Sequence, residues 1–351
     1  MSYSKSAYYF SKKASVITQI RYLDEFEKVG GIPSYQLRLL AQLPPYHCFS
    51  LPKRNGKSRV IESPKAPLSA FLKTINQLLQ PLYSLKKSAA AYGFVLQFPK
   101  DPHPRTILTN AQQHAENNFL LNIDLKDFFH QISFSQVHSF FKSSLFKFEE
   151  ETAYQLALLC TYQGRLPMGS STSPVLSNFA TLGLDTALLK WASQNKCTYT
   201  RFVDDLSFSA NHALGEKEWK SISAILAEYR FVPNLEKIKF YGSQEEKIVT
   251  GLVLNKGTIS IPTEFVEELE EDIERLNSVL ELQAALPNTN QNSWLAPLEQ
   301  SIAGKVNFVK TIYGESHPIY LTVLKQFNEA YNTQDYLKSE SWLDWGYEKI
   351  I

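Results

Sequence analysis

The chain has 351 residues, of which 44% are hydrophobic and 20% charged, and its 36 Lys and Arg nearly cancel its 35 Asp and Glu. That is the composition of a globular protein with room for two or three packed units. An apolar run of bilayer length and a signal-peptide core are both missing, and Cys48, Cys160 and Cys197 are an odd, scattered set, so a membrane span, a disulfide framework and a zinc site are not expected and a reduced, cytoplasmic protein is.

The near-neutral total hides an uneven distribution. Residues 1–105 carry sixteen Lys and Arg against five Asp and Glu, whereas the rest of the chain carries twenty against thirty. A basic N-terminal third suits phosphate groups. Helical periodicity over 14–29 stops at Gly30-Gly31, and a second helix over 35–43 stops at Pro44-Pro45. A strand over 46–51 then runs into Pro52-Lys-Arg-Asn-Gly-Lys-Ser-Arg-Val-Ile-Glu-Ser-Pro64. Asn55-Gly56 predicts a hairpin there, which would gather Lys53, Arg54, Lys57 and Arg59 on one ribbon. Such a ribbon can grip a triphosphate or an RNA backbone, or simply guard a sheet edge.

Helices are predicted over 68–85, from Asn110, over about 135–146 and over 150–162. The loop Gln163 to Pro174 feeds a long helix over 175–193, and a helix over 217–229 is followed by strand-like runs at 249–254 and 258–261. Residues 264–280 read as an amphipathic helix, with Phe265, Leu269, Ile273, Leu276 and Leu280 on one face and a crowd of Glu on the others. A polar linker over 287–293 separates it from two more helices, near 294–312 and 317–331, and an aromatic, charged tail over 335–351.

The chemistry concentrates in three aspartates. Thr198 to Ala210 reads as a β-hairpin with Asp204 and Asp205 at its tip, and the alternation of Leu206, Phe208 and Ala210 with Ser207 and Ser209 predicts a strand with one wet face. Asp124 ends another strand-like run, 119–124. An Asp-Asp pair in a hairpin is by itself ordinary turn chemistry. Acids on adjacent strand ends, however, are what two Mg²⁺ ions and a substrate phosphate require, which is polymerase chemistry. The strand-helices-hairpin-helix-strand order matches a split βαβ sheet, which can bring Asp124 beside Asp204.

From about Tyr35 to Phe327 the sequence resembles the reverse transcriptases, and specifically those of bacterial retrons. The 52–64 ribbon resembles the fingers motif, Asn122 to Phe129 the first catalytic motif, and Leu166 to Asn178 the nucleotide-contacting loop. Phe202-Val-Asp-Asp205 stands in place of the aromatic-x-Asp-Asp box. Asn110-Ala-Gln-Gln-His114 and Val249-Thr-Gly251 resemble two elements particular to retron enzymes. The resemblance implies an α+β right-hand polymerase. Its expected divisions are an N-terminal helical extension over 1–45, fingers over 46–115, a palm over 116–255 with finger elements near 133–165, and a helical thumb and tail over 256–351.

It also implies roles. Asp124, Asp204 and Asp205, with the backbone carbonyl of Leu125, would hold the two Mg²⁺ ions. Lys53, Arg59, Phe129, Met168 and Gly169 would contact the nucleotide, Phe129 against the sugar's 2′ carbon. Asn110, His114, Lys237, Lys239, Thr250 and Gly251 would face RNA or primer–template, although Lys237 and Lys239 read equally well as edge lysines and His114 as a structural residue. Asp127 reads as a turn or cap residue.

The implied partners are a structured noncoding RNA and its DNA copy, dNTP substrates, an effector protein in phage defence and a host ribonuclease H. The departures are Phe-Val for Tyr-Ala in the box, Met168 where the family usually has Gln, and an acidic helix at 264–280 in the thumb. The rivals are a group II intron-type reverse transcriptase, an inactive RNA-binding scaffold and an RNA-dependent RNA polymerase.

Overall fold

A computed structural model describes residues 2–52, 56, 58–97, 101, 103–285 and 295–331. Its contacts divide the chain into two units, residues 1–245 and 246–351.

The first unit opens with α1 (Ser2–Gln19), α2 (Glu27–Gly30) and α3 (Ser34–Gln42). The single helix expected over 14–29 is interrupted. Glu25 Oε1 accepts from the backbone N–H of Arg21 and of Tyr22, both at 2.9 Å, and tightens Leu23–Phe26 into a 3-10 turn. Gly31, at φ 67, ends α2 in the left-handed conformation that its sequence signal predicts. Strands β1 (Tyr46–Pro52) and β2 (Ser58–Pro64) pair antiparallel from Tyr46↔Pro64 to Pro52↔Ser58, the hairpin expected around Asn55-Gly56. Lys53, Arg54, Asn55 and Lys57 lie outside the described residues. In α4 (Leu68–Lys86), Leu68, Phe71, Leu72, Ile75, Leu79 and Leu82 recur at helical spacing and are buried in one core with Ala14 and Ile17 of α1.

The chain continues through α5 (Ile107–Gln112), β3 (Phe119–Asp124), α6 (Phe134–Phe141), α7 (Glu150–Cys160), α8 (Ser173–Ala180), α9 (Leu182–Gln194), β4 (Thr198–Phe202), β5 (Asp205–Ala210), α10 (Glu216–Glu228) and β6 (Lys239–Tyr241). The long helix expected over 175–193 is two. Thr181 Oγ1 donates back to the carbonyls of Ser177 and Asn178, and the helix breaks at that residue.

The four strands β4, β5, β3 and β6 form one antiparallel sheet in that order, the order of a split βαβ sheet. Its fourth strand is residues 239–241, not the 249–254 run read from the sequence. That run belongs to the second unit and is cut in two. Thr250 and Gly251 take φ of 49 and 78, the two positive values of a type I′ turn, between β7 (Lys247–Val249) and β8 (Leu252–Asn255).

β9 (Thr258–Ser260) completes that three-stranded sheet, and α11 (Thr263–Ala285), α12 (Leu295–Tyr313) and α13 (Pro318–Tyr331) follow. Leu269, Ile273 and Leu276 of α11 are buried, while Glu264, Glu267, Glu271 and Glu274 are exposed, as the apolar spacing predicts. The expected linker over 287–293 and tail over 335–351 lie outside the described residues. Among the described residues no helix is long and apolar enough to cross a membrane.

Candidate active site

Strand pairing brings the three aspartates together. β3 and β5 are in register from Phe119↔Ala210 to Asp124↔Asp205, so two of the acids face each other across adjacent strands. Asp204 sits in the two-residue turn Val203-Asp204 that joins β4 to β5, where Phe202 pairs with Asp205. Its carbonyl accepts from Leu125 N–H at 3.0 Å, which closes the strand ends on each other. Burial and the Asp124 carboxylate raise Asp204 above the usual carboxylate range, against the pull of Lys237 and Arg59. Burial, Asp204 and Asp124 push Asp205 up to about 7, although that residue keeps an exposed edge. Like charges have been gathered here with too little positive charge to balance them.

The segment after α10 supplies the nearest balance. Asn234 N–H donates to the Asp124 carbonyl at 2.7 Å, and Lys237 Nζ donates to Asp124 Oδ1 at 2.8 Å. That contact raises the Lys237 pKa. Lys237 therefore meets an acid of the cluster, and Lys239 is an exposed lysine on β6 opposite Asn122. Leu125 is buried beside the cluster. As the side chains stand, no group of three His, Cys, Asp or Glu among the described residues is arranged to hold a metal ion, and Asp124 is engaged by an ammonium instead. The donor set nevertheless fits Mg²⁺. Its atoms are hard carboxylate oxygens on adjacent strand ends, crowded as like charges.

A second assembly forms beside it, around a residue the sequence reading passed over. Glu62 of β2 is buried, and its carboxylate takes the Arg165 fork at 2.9 and 3.0 Å and the His130 ring at 3.1 Å. The Arg165 guanidinium above all, with the His130 ring and the Met168 N–H, outweighs burial and holds its pKa below the usual value. The backbone joins in, with Glu62 N–H donating to the Met168 carbonyl at 2.6 Å. Gly169, at φ 129, is pressed so closely on β2 that a Cβ there would lie 2.9 Å from the Glu62 carbonyl oxygen. The cationic ribbon is thus fastened to the loop carrying Met168 and Gly169, both half-buried.

Phe128 and Phe129 divide their tasks. Phe128 is 2% exposed and stacks at 5.9 Å on Phe231, while Phe129 is only half-buried and keeps a free edge. Asp127, at φ 45, is a turn residue with no capping hydrogen bond.

The expectation that Asn110 and His114 touch nucleic acid is corrected. Both are buried. The His114 ring nitrogens each lie 2.7 Å from a hydroxyl, Nδ1 from Ser209 Oγ and Nε2 from Thr200 Oγ1, and burial pushes the imidazole down to about 3. Asn117 Nδ2 also donates to Ser209 Oγ, at 2.8 Å. The supposedly wet serine face of β5 is therefore an internal polar layer, covered by the segment after α5. Thr250 and Gly251 form the tight turn of the second unit.

A buried ion pair escaped the sequence reading altogether. Arg201 of β4 and Asp185 of α9 are both fully buried and joined at 2.8 and 2.9 Å. The one sequence signal for it is an aspartate set between Leu184 and Leu188 on a helix with a buried face.

Comparison with known proteins places the chain in a family. The family model described as "Reverse transcriptase (RNA-dependent DNA polymerase)" matches residues 51–254, more than half of the chain. The retron Ec86 reverse transcriptase of Escherichia coli is 25% identical over 324 residues, covering 91% of this chain and 93% of that protein. The retron Mx162 and Mx65 reverse transcriptases of Myxococcus xanthus are 28% and 31% identical, covering 73% and 60% of this chain and 59% and 51% of their own lengths. The chain therefore belongs to the reverse transcriptase (RNA-dependent DNA polymerase) family, among the bacterial retron enzymes.

Proposed function

We propose that this RNA-directed DNA polymerase copies part of a cognate structured noncoding RNA, starting from a 2′-hydroxyl of that RNA and yielding a branched RNA–DNA product. The observation that carries the site assignment is the register Asp124↔Asp205 with Asp204 in the adjoining turn. Asp124, Asp204 and Asp205, with the Leu125 carbonyl, would hold two Mg²⁺ ions. Bound there, the ions neutralise charge at the attacking and leaving oxygens of phosphoryl transfer.

The protein's own share is positioning. Arg59, whose charge already acts on Asp204, and Lys53 grip the triphosphate. Met168 and Gly169 floor the nucleotide, and the free edge of Phe129 meets the sugar. Lys237, bonded to Asp124 here, would be available to a substrate phosphate once the carboxylates are neutralised. Lys239 on the sheet edge and the Thr250-Gly251 turn face primer–template. His114 braces the hairpin from inside through Ser209 and Thr200.

The reaction belongs to the cytoplasm and to phage defence, with an effector protein docking on the acidic face of α11 and a host ribonuclease H removing template. The nucleic acid that copurifies with the protein tests the reading. A branched species cut by both RNase and DNase is expected, and a purely linear product, or one whose DNA has no link to an RNA 2′-oxygen, refutes it.

A further inference from the structure

We propose that Arg201 and Asn178 are positioning residues for Asp204, holding the strained turn that carries it. The inference rests on the reading of Asp204 as a metal-holding carboxylate. Val203 is a β-branched residue at φ 60, a conformation such side chains avoid. A valine left to its own preference would leave that region and swing the next residue, Asp204, away from Asp124.

The surroundings forbid it. The Arg201 guanidinium is fully buried and spends Nε and Nη2 on Asp185, which also accepts from Tyr199 Oη at 2.9 Å. That leaves Nη1, which donates to the Val203 carbonyl and to Asn178 Oδ1, each at 3.1 Å. Asn178 Nδ2 in turn donates to the carbonyls of Gly93 and Phe94, at 3.0 and 3.3 Å. Gly93 lies flat against the turn, where a Cβ would stand 2.6 Å from Val203 Cγ2 and 2.7 Å from Val203 N. The Arg201 backbone is pinned to the same segment, its N–H to the Ala90 carbonyl and its carbonyl to the Tyr92 N–H, both at 2.8 Å.

The turn is thus boxed by one guanidinium nitrogen, one amide and one glycine. Because Asp185 absorbs the charge of Arg201, what reaches Asp204 is geometry rather than field. Only a planar fork can serve Asp185 and the turn together, so lysine is no substitute.

Metal binding to the full-length protein, without nucleic acid, tests this. Mn²⁺ titrations are followed through loss of the free-ion electron paramagnetic resonance signal, beside a thermal melt of each variant. Asn178→Ala, which removes no charge, and Arg201→Lys are expected to melt cooperatively and to weaken Mn²⁺ binding by about tenfold. Adding Val203→Gly to Asn178→Ala is expected to restore most of that loss, because glycine takes a positive φ without strain. If Arg201→Lys does not fold, Asn178→Ala decides alone. Wild-type Mn²⁺ binding in Asn178→Ala, or a loss that Val203→Gly leaves untouched, overturns the proposal. Asp204→Asn serves as the separate control: unchanged Mn²⁺ binding in that variant overturns the reading of the carboxylates instead.

Discussion

The β4–β5 hairpin carries two groups of charge, three residues apart, built on opposite principles. Arg201 sits in the interior at 0% exposure with Asp185 bonded to its fork, so each charge has its counterpart and the network is closed. At the tip, Asp204 and Asp205 face Asp124 with Lys237 as their near cation, and two of the three have raised pKa values. A buried pair is tolerable because it is complete. A crowd of like charges is tolerable only where something else is to complete it, and that incompleteness marks a site for chemistry. The comparison separates the charges that are paired inside the hairpin from those left crowded at its tip.

The sharpest way to break this contrast is to remove a tip charge. Asp204→Asn is expected to cost about a thousandfold or more in Mg²⁺-dependent DNA synthesis, the loss of several kcal/mol of charge stabilisation, while RNA binding by gel shift and the melting temperature hold. Equal synthesis by variant and wild type would erase the distinction. Removing an interior charge should act on stability first, and on the tip only through the turn it holds. Arg201→Ala leaves Asp185 buried and unpaired, and denaturant unfolding is expected to show about 3–5 kcal/mol lost.

The inner polar face of the hairpin gives a milder test, through pH. The folded-state pKa of His114 is depressed to about 3 by burial, whereas an unfolded histidine titrates near 6.5. Below about pH 6.5 the unfolded chain therefore takes up a proton that the folded one refuses, and stability falls with pH until about 3. Between pH 7 and pH 5, wild type is expected to lose about 2 kcal/mol more than His114→Gln in urea unfolding. Parallel losses would mean that His114 takes up its proton in the folded protein as well.

The smallest effect concerns the nucleotide side of the cluster. Phe129→Ala is expected to lower the preference for dNTP over rNTP by about tenfold in single-nucleotide incorporation, the order of one apolar contact. Unchanged sugar discrimination would make Phe129 a packing residue like its neighbour Phe128.

Much of this was legible because it is local. The period-2 runs at 119–124 and 198–210 and the adjacent Asp204-Asp205 identify the strands and the acid-bearing turn, and Asn55-Gly56 identifies the ribbon. The misreadings have a common cause. The serine face of β5 was expected to be wet because alternation tells which residues share a face, not what covers it, and His114 arrives from 95 positions away. The run over 249–254 was expected to be one strand because its apolar spacing is compatible with that. Thr250 and Gly251 turn back instead, so the sheet takes its fourth strand from residues 239–241.

By itself, then, the amino-acid order determined most of the elements, the three aspartates and the family, since these depend on spacing and on residue types within a few positions of one another. Only tertiary structure decided which charges are paired. Arg201 and Asp185 lie 16 positions apart, and Lys237 and Asp124 lie 113 apart. Whether a carboxylate is a strut or a reactive group depends on what packing brings within about 3 Å of it, and on how much water that packing removes.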